Sequence, residues 1–238
     1  MEKSGYYLGI FEGHFDPSFS IVKDGQLLAY AEEERHLRNK HANGFYPYRA
    51  LQYCLDVAGI GIEDVEAIGV NWDVDGFTNG RMRQFYDELE KRYSVDVKTK
   101  GWQGMMLRKF NRQNIEQYHR VKLRKVFGDR EFPKIHAMPH HYVHAFHATQ
   151  QSTFEESVCL TIDGSGDEHC TVVWRHKGRE VTPIKEITIP HSLGWFYAAI
   201  TEFLGFEAYD GEYKVMGLAA YGAENLTLRK AVDQIVFP

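Results

Sequence analysis

The stretch YYLGIFEGHFDPSFSIVKDGQLLAYAEEE, residues 6–34, decides the fold. It contains three runs of apolar, aromatic or alternating residues, namely YYLGIF, FSIV and LLAYAEEE. The triplet Lys23-Asp24-Gly25, which is rich in turn-forming residues, separates the second run from the third. Short runs bounded by such residues are typical of β-strands joined by tight turns. The stretch therefore predicts a β-meander of three strands.

A second stretch, residues 158–187, repeats this pattern about 152 positions later. Its runs are VCLTIDGSGDEH, CTVVWRHKG and REVTPIKEI. In this alignment Gly9-Ile10-Phe11 corresponds to Thr161-Ile162-Asp163, and the turn Asp24-Gly25 corresponds to Lys177-Gly178. An internal repeat of this kind indicates two similar lobes, each of which begins with a meander. We place the first lobe at residues 1–155 and the second at 156–238.

The residues between the meanders read mainly as helices. Pro47 opens an apolar helical pattern, YPYRALQYCLDVAGI, and Pro139 opens the helix HHYVHAFHATQQS. VEAIGVNW and KIHAM are predicted to be strands, and Ser192 is a candidate N-cap for the helix SLGWFYAAITEFLGF. Residues 76–131 are predicted to form a helical, basic insertion. Between Lys98 and Lys134 there are 11 Lys or Arg and three acids, which fits a solvated helix face or a nucleic-acid arm.

Composition excludes several classes of protein. A net charge of −5 argues against general nucleic-acid binding, and no run of about 18 apolar residues is present to span a membrane. The N-terminus lacks the features of a signal peptide. Three cysteines without a CxxC pair suggest reduced thiols. We therefore expect a cytoplasmic protein in which nucleic acid is an unlikely partner.

The box PHHYVHA, residues 139–145, is a candidate metal site. His140 and His144 are four residues apart, so on a helix both imidazoles stand on one face and can bind one cation. His141 is three residues before His144, and His147 also lies on the His144 face. Spacing alone does not choose among these four histidines, and histidines at this spacing also occur by chance.

Two further segments carry residues suited to phosphate groups. Asp163, Gly164, Ser165 and Gly166 follow an apolar strand, where glycines allow a tight turn whose amides approach a phosphate and an aspartate can hold a metal. A plain hairpin turn explains the same residues. Lys214, in DGEYKVMGLAAYG, is a candidate phosphate ligand after a helix, or else a surface lysine beside a turn.

His14 occupies the corresponding loop of the first meander. An imidazole has a pKa near neutrality, so it can accept a proton from a hydroxyl group as a general base. The alternative is a loop histidine bonded to a neighbouring carboxylate such as Glu12 or Asp16.

Together these motifs resemble the O-carbamoyltransferase family, whose members modify nodulation factors and antibiotics. The matching segments are residues 7–41, PHHYVHAFHA, LTIDGSGDE, HSLGWFYAAITEFLGF and EYKVMGLAAYG, in family order. Ala220 stands where the family usually has proline in MGLAPYG. The family's N-terminal domain resembles the tRNA threonylcarbamoyl transferase. The resemblance implies an α/β fold of actin/hexokinase-like (ribonuclease H-like) type, with duplicated lobes, mixed sheets flanked by helices, and an incomplete second lobe.

The resemblance also implies a chemistry. A carbamoyl group passes from carbamoyl phosphate, through a carbamoyl-adenylate made with ATP, to the hydroxyl of a small-molecule or sugar acceptor. His140, His144 and Asp163 become metal ligands, with iron the ion that the family implies, and His14 becomes the base beside the acceptor hydroxyl. The partner implied is a C-terminal YrdC-like domain or a separate completing chain, without which we expect this chain to be inactive. Two alternatives stay open: a non-catalytic half that binds nucleotide or a partner, and a relative of sugar or acetate kinases.

Overall fold

A computed structural model describes residues 5–12 and 15–236. The described residues form eight strands and ten α-helices. The strands are β1 Tyr6–Phe11, β2 Ser18–Lys23, β3 Gln26–Glu32, β4 Val65–Val70, β5 Lys134–Ala137, β6 Glu156–Gly166, β7 His169–Lys177 and β8 Glu180–Thr188. The helices are α1 Glu33–Leu37, α2 Tyr48–Ala58, α3 Asp75–Thr78, α4 Arg81–Arg92, α5 Val97–Lys109, α6 Arg112–Phe127, α7 His140–Gln151, α8 Leu193–Phe203, α9 Glu212–Ala219 and α10 Leu226–Val236. The chain divides into two compact units, Met1–Val143 and His144–Pro238. The boundary between them therefore lies inside α7.

The first unit contains a five-stranded mixed sheet in the order β3-β2-β1-β4-β5. β1, β2 and β3 are antiparallel neighbours, which confirms the predicted first meander, while β4 and β5 continue the sheet in parallel with β1. Asp24 and Gly25 form the two-residue turn between β2 and β3 with φ of 51° and 79°. Positive φ at both positions is what a tight hairpin turn requires, and Asp-Gly tolerates it.

Helix α2 covers one face of this sheet by packing against β2 and β3. Its buried Leu51 joins the core of Leu8, Ile10, Ile21 and Ile68 from the strands. As predicted, the helix follows Pro47, and Gly59 ends it with a φ of 68°. Burial of this apolar face against the strands stabilises a helix of this length, which would be marginal alone.

A buried carboxylate connects the meander to α2. Glu33 is 3% exposed and follows β3 directly. Its Oε2 accepts the backbone N–H groups of Arg49 and Ala50, both at 2.9 Å, in the first turn of α2. These are amides that the helix itself leaves unbonded, and a negative charge at a helix N-terminus is stabilised by the helix dipole. Glu33, in the acidic run after β3, therefore helps to stabilise the fold by binding the N-terminus of α2.

The predicted insertion is helical, as α3 to α6. Asp96 and Asn111 cap α5 and α6 by accepting the N–H groups of Thr99 and Asn114, at 3.0 and 2.9 Å. Several of its basic side chains pair with nearby acids; Arg112, for example, contacts the carboxylates of Asp73 and Asp75. This pairing agrees with the interpretation of a solvated, charged face.

The second unit contains an antiparallel sheet in the order β6-β7-β8, which confirms the second meander. Its register shifts between Ile162 and Gly166, so residues 163–165 of β6 lie opposite Cys170 alone. This insertion of extra residues is a β-bulge. The turn expected at residues 163–167 is therefore displaced, because the strand absorbs the glycines as a bulge and turns only at Asp167 and Glu168.

Helix α8 begins as predicted, with the Ser192 hydroxyl accepting the N–H of Trp195 at 3.0 Å. Lys214 follows the helix α8, as expected, and itself lies in the first turn of a further helix, α9. The carbonyl oxygen of Gly211 accepts the N–H groups of Lys214 and Val215, which begins this helix. In the described part of the chain, no helix is both long enough and apolar enough to cross a membrane.

Candidate metal centre

His140 opens α7, where the surrounding side chains hold its ring firmly. The residue is 6% exposed, and its ring packs on the indole of Trp72 with a centroid distance of 4.6 Å. Its Nδ1 lies 3.2 Å from the backbone oxygen of Asn71 and 3.2 Å from the side-chain Nδ2 of the same residue. Asn71 and Trp72 follow β4, so the carboxyl end of a parallel strand positions this histidine.

These contacts determine which ring nitrogen of His140 offers a lone pair. A backbone oxygen only accepts, so its contact with Nδ1 favours the tautomer that carries a proton there. The side-chain Oδ1 of Asn71 is buried without a hydrogen-bond partner. Since the nitrogen and oxygen of an amide are assigned by their surroundings, a half-turn of this amide lets Oδ1 accept from the same Nδ1–H. Nε2 then carries the lone pair of the ring, which is the arrangement in many sites where a carbonyl orients a ligating histidine.

His144 lies one turn after His140 on the same continuous helix. Its Nε2 is 3.6 Å from Oδ2 of Asp163 in the bulge of β6. The other oxygen of this carboxylate, Oδ1, accepts the N–H of Gly164 at 2.6 Å, which turns Oδ2 toward the histidine. One ligand atom from each of His140, His144 and Asp163 lies within 4.8 Å of the others.

The donor set suits a divalent transition metal. Two imidazole nitrogens and one carboxylate oxygen are ligands of zinc and of non-haem iron(II). His141 is buried, with its ring 6.0 Å from that of His140, and His147 is exposed. Neither belongs to the group of converging ligand atoms, although spacing alone left both open. The residues present therefore fit a metal, and His140 and His144 are the two of these four histidines that lie in the group.

The start of α8 supports the bulge that carries Asp163. The Ser192 hydroxyl donates to the carbonyl oxygen of Gly164 at 2.7 Å while it caps the helix. Gly194 lies so close that a Cβ there would stand 2.6 Å from the Gly164 nitrogen and 2.7 Å from the Asp163 oxygen. Only a glycine allows this approach of helix and strand. The position of the Asp163 carboxylate thus depends on α8.

The residues predicted to bind phosphate are Gly164, Ser165 and Gly166 in β6 and Lys214 in α9. The N–H of Gly164 already donates to the carboxylate of Asp163. Ser165 lies in the bulge, and Gly166 is the last residue of β6. Lys214 is exposed on α9, with Nζ 5.5 Å from the centroid of the Tyr213 ring. A phosphate role for these residues stays a prediction.

His14 lies outside the described residues, but both of its flanks are described. On one side, the Tyr118 hydroxyl donates to Oε1 of Glu12 at 2.7 Å. On the other, Oδ1 of Asp16 lies 3.0 Å from Nδ1 of His41. Sequence reasoning missed Tyr118 and His41, as it missed Asn71 and Trp72. A polar residue directly after the buried strand β4 was the signal available for Asn71, because the carboxyl ends of parallel strands gather ligand-binding residues.

Burial shifts the pKa values of three neighbouring side chains, Tyr118, Tyr46 and His119. Burial, followed by the hydrogen bond to Glu12, raises the pKa of Tyr118 well above its ordinary value. Burial also raises the pKa of Tyr46, whose hydroxyl lies 3.2 Å from Nδ1 of His119. Burial, together with the charge of Lys122, lowers the pKa of His119 to about 4. The two phenols are therefore protonated and His119 is neutral near pH 7.

Comparison with known proteins gives matches over most of the chain. The family model "Carbamoyltransferase N-terminus" matches residues 7–236. The uncharacterized protein sll1178 of Synechocystis is 34% identical over 225 residues, which cover 91% of this chain and 35% of that protein. Nodulation protein NolNO of Sinorhizobium fredii is 35% identical over 209 residues, covering 87% of this chain and 28% of NolNO. The chain thus spans about a third of the length of these relatives.

Two solved structures are also similar, at lower identity. YeaZ from Pseudomonas aeruginosa has a TM-score of 0.41 at 14% identity, covering 78% of this chain and 67% of YeaZ. Component A of the Acidaminococcus fermentans (R)-2-hydroxyglutaryl-CoA dehydratase has a TM-score of 0.44 at 14% identity, covering 94% of this chain and 72% of that one.

Proposed function

This chain belongs to the carbamoyltransferase family, matching its N-terminal domain, and from that premise we propose the reaction in which it takes part. The reaction moves a carbamoyl group from carbamoyl phosphate, through a carbamoyl-adenylate made with ATP, to the hydroxyl of a small-molecule or sugar acceptor. A YrdC-like domain or a separate chain makes the adenylate, and the described chain carries the transfer site.

The observation that carries the proposal is the convergence of His140, His144 and Asp163. These three side chains would hold a divalent metal, with iron the ion implied by family resemblance. When bound, such an ion supplies a Lewis acid that polarises phosphate or carbonyl oxygens. Two neutral imidazoles and one carboxylate give the donor set a charge of −1. A divalent ion therefore leaves a net positive site, which attracts an anionic phosphate.

The residues around the ligands keep this arrangement in place. Asn71 and Trp72 fix the ring of His140, and the N–H of Gly164 fixes the carboxylate of Asp163. Ligands oriented in this way need little rearrangement on binding, which preserves affinity and geometry. The half-buried indole of Trp72 packs on the buried ring of His140 and covers one side of that ligand.

His14 would act on the acceptor. In the transfer step the acceptor oxygen forms a bond to the carbamoyl carbon, and the bond from that carbon to the phosphate oxygen of the adenylate breaks. AMP leaves with the electron pair of the broken bond, and the proton of the hydroxyl passes to the imidazole of His14. General-base help of this kind is worth roughly 100- to 10,000-fold in rate.

The proposal is tested by measuring the release of AMP. The chain is mixed with carbamoyl phosphate, ATP and a completing YrdC-like chain, and AMP formation is measured against a panel of hydroxyl compounds. We expect AMP release that depends on both the chain and an acceptor, and that falls strongly in His14→Asn and in a His140→Ala/His144→Ala variant. His147→Ala, on the same helix but outside the ligand group, is the matched control. Phosphoryl transfer from ATP to the acceptor, without carbamoylation, would contradict the proposal and favour a kinase.

A further inference from the structure

A small cavity lies in the first unit, where the chain leaves the first meander. Its volume is about 310 Å³, and it is lined by Glu34, Arg35, Arg38, Asn39 and Lys40. We propose that this cavity binds an oxyanion group, phosphate or carboxylate, and that the carbamoyl acceptor carries this group. The second half of the inference rests on the proposed function, because it names the class of acceptor for the same reaction.

The one carboxylate of the lining, Glu34, is occupied by contacts of its own. Its Oε1 lies 3.2 Å from Nη1 of Arg35, and its Oε2 accepts the N–H of His41 at 2.6 Å. Arg35 also pairs with Glu32, which lies outside the lining, at 3.0 Å. These contacts hold the Glu34 carboxylate in place and offset its charge. Even with both carboxylates counted, the three cations of the lining leave a positive charge, which attracts an anion.

Arg38 and Asn39 bring donors to the cavity that no other group uses. Within the part of the chain that the structure describes, the side chains of both residues make no hydrogen bond or ion pair, and both are exposed. A guanidinium presents its N–H donors in a planar fork that matches two oxygens of a phosphate or carboxylate, and an amide adds two more donors. Lys40 adds a compact positive charge to the same lining. This set of donors suits an oxyanion better than a neutral group.

The turn that carries these donors is held in one conformation. The N–H of Arg38 donates to the carbonyl oxygen of Glu34 at 2.8 Å. The N–H of Ala42 donates to the carbonyl oxygen of Asn39 at 3.0 Å, and Ala42 is fully buried. Arg38 and His41 have φ of 53° and 63°, in the left-handed region that non-glycine residues rarely adopt without such contacts. A turn fixed before its ligand arrives loses little freedom on binding, which preserves affinity.

The cavity lies at the edge of the five-stranded sheet where ligands are expected. β1 and β2 are antiparallel, as are β2 and β3, so β3 runs in the same direction as β1, β4 and β5. The carboxyl ends of these four strands share one edge, and the cavity residues follow β3 through α1. Open α/β sheets bind their ligands outside the carboxyl ends of the strands. His140 is held at the same edge by Asn71, which follows β4.

The cavity and His140 lie too far apart along this edge to share one phosphate group. The strand order places β2 and β1 between β3 and β4. The carboxyl ends of β3 and β4 are therefore three strand spacings apart, or about 14 Å. In the proposed reaction the adenylate donor carries a single phosphate group, which the positive metal centre attracts. An oxyanion in the cavity then belongs to the acceptor.

The first experiment measures binding to the chain without any turnover. Inorganic phosphate, glycerol phosphate, glycerate and glycerol are titrated separately, and the NMR shifts of the backbone amides of residues 34–42 report binding at the cavity. We expect saturable shifts with the phosphates, with glycerate, or with both, which identifies the oxyanion, and none with glycerol. Binding should weaken as salt is added, because exposed charges are screened. The absence of shifts at residues 34–42 with every anion would overturn the inference.

Four variants test which residues bind the anion. Arg38→Gln removes one cation of the lining and should weaken binding about tenfold, as expected for a charged hydrogen-bond donor. Arg38→Lys keeps the charge without the planar fork and should bind with intermediate affinity. Arg108→Gln makes the same charge change at an exposed arginine of α5 outside the lining, and should bind as the wild type does. The His140→Ala/His144→Ala variant should also bind normally. Equal weakening by Arg38→Gln and Arg108→Gln would reduce the effect to net charge and overturn the site.

A second experiment distinguishes failure of this inference from failure of the proposed reaction. In the completed enzyme, Arg38→Gln should raise KM for an acceptor that carries the oxyanion about tenfold, while kcat and KM for carbamoyl phosphate stay nearly unchanged. A rise in KM for carbamoyl phosphate instead would assign the cavity to the donor and overturn the acceptor class. Carbamoylation of uncharged hydroxyl compounds alone would overturn it as well. Oxyanion binding by a protein that transfers no carbamoyl group would support the cavity and refute the reaction.

Discussion

The hydroxyl of Ser192 lies 2.7 Å from the carbonyl oxygen of Gly164, and the same hydroxyl accepts the N–H of Trp195 at 3.0 Å. One side chain thus joins the first turn of α8 to the bulge of β6. The bulge carries Asp163, so the cap of a helix and the position of a candidate metal ligand are coupled.

Replacing Ser192 by Ala should lower the free energy of unfolding by about 1–2 kcal/mol, because the helix loses its cap and a carbonyl loses its donor. Ser192→Thr retains a hydroxyl that can fill both roles and should recover most of the loss. Denaturant unfolding of the three proteins measures the effect. Equal midpoints for wild type and Ser192→Ala would show that the hydroxyl contributes nothing.

Replacing Gly194 by Ala should destabilise the second unit and disturb the metal site together. The added Cβ would meet backbone atoms of Asp163 and Gly164 at less than 3 Å, and backbone cannot move aside as a flexible side chain can. Gly217→Ala is the matched control. Nothing lies within 4 Å of its Cβ position in α9, so alanine there should stabilise the helix by up to about 1 kcal/mol. Melting temperature and metal content of both variants test this difference.

Elemental analysis of the purified chain should find about one divalent metal ion per molecule. The His140→Ala/His144→Ala variant should lose it, since one carboxylate alone binds a transition metal weakly. His147→Ala should keep the wild-type content, because the His147 ring lies outside the converging group. Equal metal content in the double variant and the wild type would remove these histidines from the site.

Stability of the first unit should fall between about pH 6.5 and pH 4 because of His119. Its pKa is lowered to about 4 in the folded protein by burial, while the unfolded chain titrates near 6.5. Below the unfolded value the unfolded state binds a proton that the folded state does not, so acid favours unfolding. This shift in the pKa of His119 lowers the free energy of unfolding by about 3 kcal/mol at most.

Unfolding measured between pH 7.5 and pH 4.5 checks this prediction. In His119→Asn, an amide can still meet the Tyr46 hydroxyl but does not titrate, so the pH dependence in this window should become weaker. An identical pH profile in the variant would assign the acid sensitivity to other groups.

The meanders could be predicted because their determinants are local. The Asp24-Gly25 turn requires positive φ at both positions, and the flanking runs have the period of strands. The same holds for α2, which the sequence bounds with Pro47 and Gly59, and for the Ser192 cap. The pairing of β4 and β5 in parallel with β1 has no comparable local signal, because parallel neighbours are far apart in sequence.

The candidate site was predictable only in part. Helical spacing placed His140 and His144 on one face, but it left His141 and His147 as equal alternatives. Burial of His141 and exposure of His147 are properties of the packed helix. Nothing in the sequence indicated that the glycines after Asp163 would form a bulge, or that Glu33 would cap α2.

The sequence by itself therefore determined the elements of this protein: the repeated meanders, the helices, and the residue types able to bind a metal. These follow from turn geometry and side-chain periodicity, which act over a few residues. Only the tertiary structure decided which residues contact one another. Asn71 orients His140, Gly164 turns Asp163 toward His144, and Tyr118 holds Glu12 from more than a hundred residues away. Such contacts depend on how packed elements bring distant side chains together, and their short distances and directions are not encoded in any local pattern.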